Sequence, residues 1–255
     1  MKVSKTELSA VLKQVFEGLD FAAGEHESAA EMIVWAQMCG LQGLQDLRLG
    51  LPRLTKKRPP SLRCITEDGS HAVIDADHSS CLNCADVITN LAYVKALDHG
   101  ASSITVLNCH DRKLLIKAMV NSHRSDMACL LHWHDANDPS IVHLVRLALN
   151  TGTQDFPNYT VHKVSKEYSV DDSERHSLYI QCSRPRQQLE QVEPAVIAQL
   201  QEHSTVFSPE TLQDNYHTAL NKGLLIEESL WQLLQNLAAV VLVESSEQSR
   251  RGAGA

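Results

Sequence analysis

The chain has 255 residues, 43% hydrophobic and 21% charged, enough to bury a core without disulfide or metal support. Its net charge of -8 repels a phosphate backbone or an anionic membrane, and the basic run Lys56, Lys57, Arg58 and Arg63 flanks Pro59 and Pro60 as a solvated linker does. No stretch reaches the ~20 apolar residues that span a bilayer, and a polar helix start stands where a signal peptide would be apolar, so the expectation is a cytoplasmic protein with no nucleic-acid or membrane partner.

Ser4 and Glu7 form a capping box, with Val3 and Leu8 spaced as a hydrophobic staple. Leu8, Val11, Leu12, Val15, Phe16 and Leu19 then repeat at helical spacing. A second helix is predicted from Glu25 to Met38, stopped by Gly40, and a short third helix leads into the Pro-containing linker. Residues 1–60 read as a helical module. Leu62–Ile65 and Ala72–Ile74 flank Asp68-Gly69 as a β-hairpin. Ser80 is placed to cap a helix through Leu82, Ile88, Leu91 and Leu97 that ends at Gly100.

Ser103–Leu107 and Met127–Trp133 read as strands, with a helix between them that Asp111 can cap and that carries Leu114, Leu115, Ala118 and Met119. Strand, helix, strand predicts a βαβ unit whose two strands lie parallel in one sheet. Tyr159–Val164 and Leu178–Cys182 are further candidate strands. Helices are expected from Glu193 and from Ser208, and a last one through Leu230, Leu233, Leu234, Leu237 and Val241. The reading is thus an α/β protein: the helical module, a core over 61–243 with parallel strands in a mixed sheet and C-terminal helices, and a polar tail over 244–255.

Three segments carry a resemblance. Ala36–Leu54 reads AQMCGLQGLQDLRLGLPRL; Ala72–His134 begins AVIDAD, passes through KALDHGASSITVLN and ends MACLLHWH; Gly223–Val241 reads GLLIEESLWQLLQNLAAVV. In this order they resemble the NAD(P)-dependent malate, L-lactate and ureidoglycolate dehydrogenase family, which has a fold unlike the usual Rossmann domain. The chain also resembles, more closely, a proteobacterial family of unknown function whose members end near an Arg-Gly-Ala-Gly-Ala tail. The resemblance implies that fold and a homodimer with the N-terminal helices at or near the contact.

The departures bear on function. Where the dehydrogenases have a His-Asp-Ser-His motif, this chain has Leu41, Gln42, Gly43 and Leu44, which offer no proton-handling group. An ungapped match places Asp111 where some members have the acid/base histidine, with His110 one place earlier and Lys113 at a family glycine. An aspartate of ordinary pKa, near 4, is a weak base for a hydroxyl proton. The family's central Asp-x-Ala-x-Ser and Lys-Gly segments have no counterpart, and neither a G-x-G-x-x-G nor a P-loop replaces them.

In a parallel sheet the strand C-terminal ends open onto the ligand crevice, which brings Cys109, His110 and Asp111 towards His134 and Asp135. His110 and Asp111 are the candidate acid/base residues. Cys109, His132, His134 and Asp135 are candidate binding residues. His110, His132 and His134 can also offer nitrogen ligands to a divalent metal, though thirteen scattered histidines make a crevice lining the plainer account and no metal is assigned. Cys81-x-x-Cys84 sits at a helix start, where the dipole can lower a thiol pKa, or else it packs in the core; seven cysteines without regular spacing are expected to be mostly reduced and buried. Arg175, Arg184 and Arg186 beside strands can hold a carboxylate or serve as surface charges.

The function that follows is a degenerate, non-catalytic relative binding a small metabolite or a partner protein. The alternatives are an NAD(P)-dependent oxidoreductase on a small 2-hydroxy or 2-imino acid, the one case that calls for NAD or NADP, and a metal-dependent hydrolase.

Overall fold

The computed structural model describes residues 1–22, 24–54, 62–122, 127–147, 156–164, 175–184 and 200–239. Strand β1 (Lys2–Val3) leads into α1 (Lys5–Gly18), whose first turn has both capping-box bonds: Ser4 N donates to Glu7 Oε2 at 2.8 Å and Glu7 N to Ser4 Oγ at 3.2 Å. Val3 and Leu8 are both buried beside this cap, as the staple spacing predicts. Helix α2 (Glu25–Met38) buries Ala29, Ala30 and most of Met32–Met38, because it packs against α1 and against α3 (Gly43–Leu54). The turn between α2 and α3 is so close that a Cβ at Gly43 would run into the Ile33 carbonyl and the Ala36 side chain.

The hairpin is β2 (Arg63–Asp68) and β3 (His71–Asp75), closed by Gly69 at φ 41°. Ser80 caps a short 3₁₀ turn, Cys81–Asn83, rather than the long helix, and α4 (Ala85–His99) starts after it and ends at Gly100 in the left-handed region. Then come β4 (Ala101–Leu107), α5 (Leu115–Ser122), β5 (Ala128–His134), β6 (Ile141–Leu147), β7 (Asn158–Val164), β8 (Leu178–Ser183) and β9 (Leu200–Phe207). The chain continues with α6 (Pro209–Lys222, capped by Ser208), β10 (Leu224–Leu225) and α7 (Glu228–Ala238). The helix expected from Glu193, the residues around Val241 and the 244–255 tail lie outside the described residues.

Among the described residues eight strands form one mixed sheet in the order β2-β3-β4-β8-β5-β6-β7-β9. The hydrogen-bonded parallel pair is β3 with β4, not β4 with β5. The latter two do run the same way, but β8 inserts between them antiparallel to both. A distant strand thus takes the slot that the local βαβ pattern reserves, and the C-terminal ends of β4 and β5 stay one strand apart. A separate ribbon pairs β1 with β10, and Met1 N donates to Ile226 O at 2.7 Å, which ties α1 to α7.

Helix α4 covers β4 and β8, α5 packs on α4 and α2, and one continuous apolar core joins the N-terminal helices to this face of the sheet. Trp133, His143, Tyr159 and Phe207, one from each of β5, β6, β7 and β9, stack in a row on that face with centroids 5.0, 5.9 and 5.2 Å apart. Cross-strand rings of this kind fix register in the antiparallel half.

Candidate functional site

After β4 the chain turns sharply. Asn108 and Asp111 take positive φ, 53° and 57°, and the segment between them lies alongside residues 79–81. His110 N donates to Ser79 O and Cys81 N to His110 O, both at 2.9 Å, while Cys109 N reaches His176 O at 2.9 Å. These backbone bonds push the His110 ring outward. It meets His176 at 4.6 Å and His78 at 5.8 Å between centroids, so three segments each contribute an imidazole. Partial burial, and then Arg53 and His176, push His110 down to about 4, and burial with Arg112 lowers His176; both rings are therefore neutral at pH 7.

Asp111 does not cap the following helix with its side chain. Its carboxylate turns to α3, where Arg53 Nη2 donates to Oδ1 at 2.5 Å. The carboxylate lies over Gly50, where a Cβ would come within 3.1 Å of Oδ2. Among the described residues Asp111 Oδ2, Arg53 Nε and His176 Nδ1 are buried and have no hydrogen-bond partner. One turn away Lys113 Nζ stands 2.8 Å from Asp46 Oδ2, and burial raises the Asp46 carboxyl.

The neighbouring Arg112 is a structural knot. Its guanidinium, almost fully buried, donates to the carbonyls of Arg175 (2.7 Å), Ser177 (3.0 Å) and His134 (2.8 Å). It therefore fastens the end of β4 to the start of β8 and the end of β5, the three segments that frame the crevice.

The other candidates separate. Cys109 is buried and turns inward beside Cys81 and Cys84. His132 lies on the sheet face opposite the helices, stacked on Tyr179 at 4.7 Å, and burial pushes it down to about 4. His134 Nδ1 donates to Pro139 O at 2.8 Å. Asp135 accepts from Asn137 N at 2.8 Å and Asp138 N at 3.1 Å to form the β5–β6 turn, with His143 Nε2 at 3.4 Å. His143 in turn bonds the Tyr159 hydroxyl at 2.7 Å. The His110, His132, His134 ligand set is not assembled, and among the described residues no group of three His, Cys, Asp or Glu can hold a metal ion.

The Cys81-x-x-Cys84 thiols are buried, and both are held well above the ordinary thiol range, Cys81 by burial and Cys84 by the Cys109 thiol and burial. The packed-core reading applies to them. A separate groove of about 430 Å³ between α1, α2, α5 and α6 is lined by Lys5, Lys13, Lys117, Trp35 and Tyr216. It shares no residue with the crevice.

The first helices and the hairpin carry a family signature. Residues 3–83 match the family described as Protein of unknown function (DUF3726). That match contains Leu41–Leu44, Arg53, His78 and Cys81, and ends one residue before Cys84, so the helical wall of the crevice lies within the DUF3726 segment. No curated protein matches the sequence. Among solved structures, a malate dehydrogenase from Pyrococcus horikoshii OT3 is similar with a TM-score of 0.67 at 12% identity, covering 96% of each chain. A dehydrogenase from Sinorhizobium meliloti has a TM-score of 0.69 at 12% identity, covering 94% of this chain and 99% of its own. A sulfolactate dehydrogenase from Methanocaldococcus jannaschii has 0.62 at 11%, covering 96% and 98%. The chain has the malate/L-lactate dehydrogenase fold; at this identity the likeness extends to the fold alone.

Sequence reading did not single out Arg53, His78, Asp46 or Lys113 as a set. Arg53 ends the Leu-Pro-Arg of the first matching segment, which was the available signal. His78 has none, because its role depends on how residues 79–81 pair with His110.

Proposed function

We propose that this chain is a non-catalytic relative of the dehydrogenases that binds a small, charged metabolite in the crevice framed by Arg53, His78, His110, Asp111 and His176. The observation that carries the reading is the fate of the lost motif. Leu41 and Leu44 are 3% and 4% exposed, packed as core between α2 and α3, and Gly43 has no room for a side chain. These positions do not suit a nicotinamide cofactor or a proton relay. The other matched position, Asp111, is committed to Arg53. What survives is a guanidinium, a carboxylate and three imidazoles at the same place, a set suited to holding a polar ligand.

A thermal-shift screen tests this, since a ligand selective for the folded state raises the melting temperature by mass action. Small carboxylic acids are expected to raise it, and NADH and NADPH to leave it unchanged. A shift with either nicotinamide, with turnover of a 2-oxo acid, would establish the oxidoreductase instead.

A further inference from the structure

The charge layout narrows the ligand, given that the crevice is a metabolite site. Arg53 and Asp111 supply one positive and one negative group, and Lys113 and Asp46 neutralise each other beside them. The imidazole of His110 is uncharged at neutral pH. Arg53 and Asp111 share a single hydrogen bond, through Nη2 and Oδ1. Each keeps a second buried polar atom, Nε on the arginine and Oδ2 on the aspartate, without a partner among the described residues.

We propose that the ligand is a zwitterionic α-amino acid, whose carboxylate takes the Nε/Nη2 edge of Arg53 and whose ammonium takes the Asp111 carboxylate. The Asp111 side chain is 7% exposed and that of Arg53 33%. A simple anion that drew Arg53 away would leave Asp111 buried without its counter-charge, which is strongly unfavourable. An amino acid inserts a charge against each partner, so both stay paired and both orphaned atoms gain a bond. A 2-hydroxy or 2-oxo acid with the same side chain satisfies the arginine only. Around the pair His78 is exposed, His110 and His176 are half-buried, and Arg175 offers a further exposed charge to an acidic side chain.

Titration calorimetry on the full chain with matched trios tests the inference: alanine, lactate and pyruvate; phenylalanine, phenyllactate and phenylpyruvate; glutamate, 2-hydroxyglutarate and 2-oxoglutarate, each as the L form where chiral. The amino member of at least one trio is expected to bind about tenfold or more tightly than its two analogues. Asp111→Asn, which keeps the shape and removes the charge, is expected to abolish that preference. If a hydroxy or oxo acid binds as well as its amino counterpart, the zwitterion assignment is wrong while the metabolite reading stands. If no member of any trio binds at about 10 mM, well above a millimolar Kd, the metabolite reading itself fails.

Discussion

Arg53, next to last in α3, and Asp111, at the left-handed turn after β4, meet at 2.5 Å and join the N-terminal helices to the sheet. The carboxylate packs on Gly50, one helical turn before Arg53, where an added Cβ would stand 3.1–3.3 Å from it and press on it.

Gly50→Ala therefore reverses the usual effect of that substitution. In a helix interior it normally stabilises by about 1 kcal/mol, but here the new methyl presses on Asp111 and is expected to cost about 1–2 kcal/mol. In an Asp111→Ala background the same change is expected to be neutral or stabilising. Urea denaturation of the four proteins measures the coupling; additive effects would mean that the carboxylate does not occupy this space.

The lost motif cannot be restored by point substitution. Leu41→His and Leu44→His put imidazoles into apolar packing, at an expected cost of about 2–4 kcal/mol each. Neither variant is expected to oxidise NADH with any 2-oxo acid. Thermal melts read the first effect, and the loss of nicotinamide absorbance the second.

His132 makes the fold acid-sensitive in a defined window. Its folded pKa, about 4, lies below the ordinary 6.5, so the unfolded chain takes up a proton that the folded chain refuses. The contribution is complete above pH 6.5 and is lost as pH falls towards 4, by at most about 3 kcal/mol. His110 acts in the same direction. His132→Phe, which keeps the stack on Tyr179, is expected to flatten the fall in melting temperature between these limits; an unchanged slope would place the titration elsewhere.

Of the seven cysteines, Cys64 is exposed and the other six are buried. Iodoacetamide on the native protein is expected to modify Cys64 alone, and all seven after unfolding in guanidinium, as read by mass spectrometry. Rapid labelling of Cys81 or Cys84 would revive a redox role for that pair.

Much of the helical part is legible because local signals agree there. Ser4 with Glu7, and Gly40 after Met38, bound α1 and α2 within the chain's own first turns. The sheet order is less legible because β8, seventy residues beyond β4, decides it. Strand β6 escapes notice since His143 and Arg146 interrupt its apolar run, although His143 belongs to a ring stack that only the folded register creates. The site divides in the same way. His110 and Asp111 stand out by position in a matched segment, whereas Arg53, His78 and His176 join them from three other places in the chain. His134 and Asp135 lie at the predicted strand end, yet a carbonyl and a turn occupy their polar atoms.

The central claim is that the dehydrogenase scaffold persists without its redox chemistry. The most direct measurement is the nicotinamide absorbance of NADH and NADPH mixed with the purified protein and a panel of 2-oxo and 2-imino acids. The account predicts no protein-dependent oxidation with any of them. Turnover that scales with protein and disappears in Asp111→Asn would contradict it.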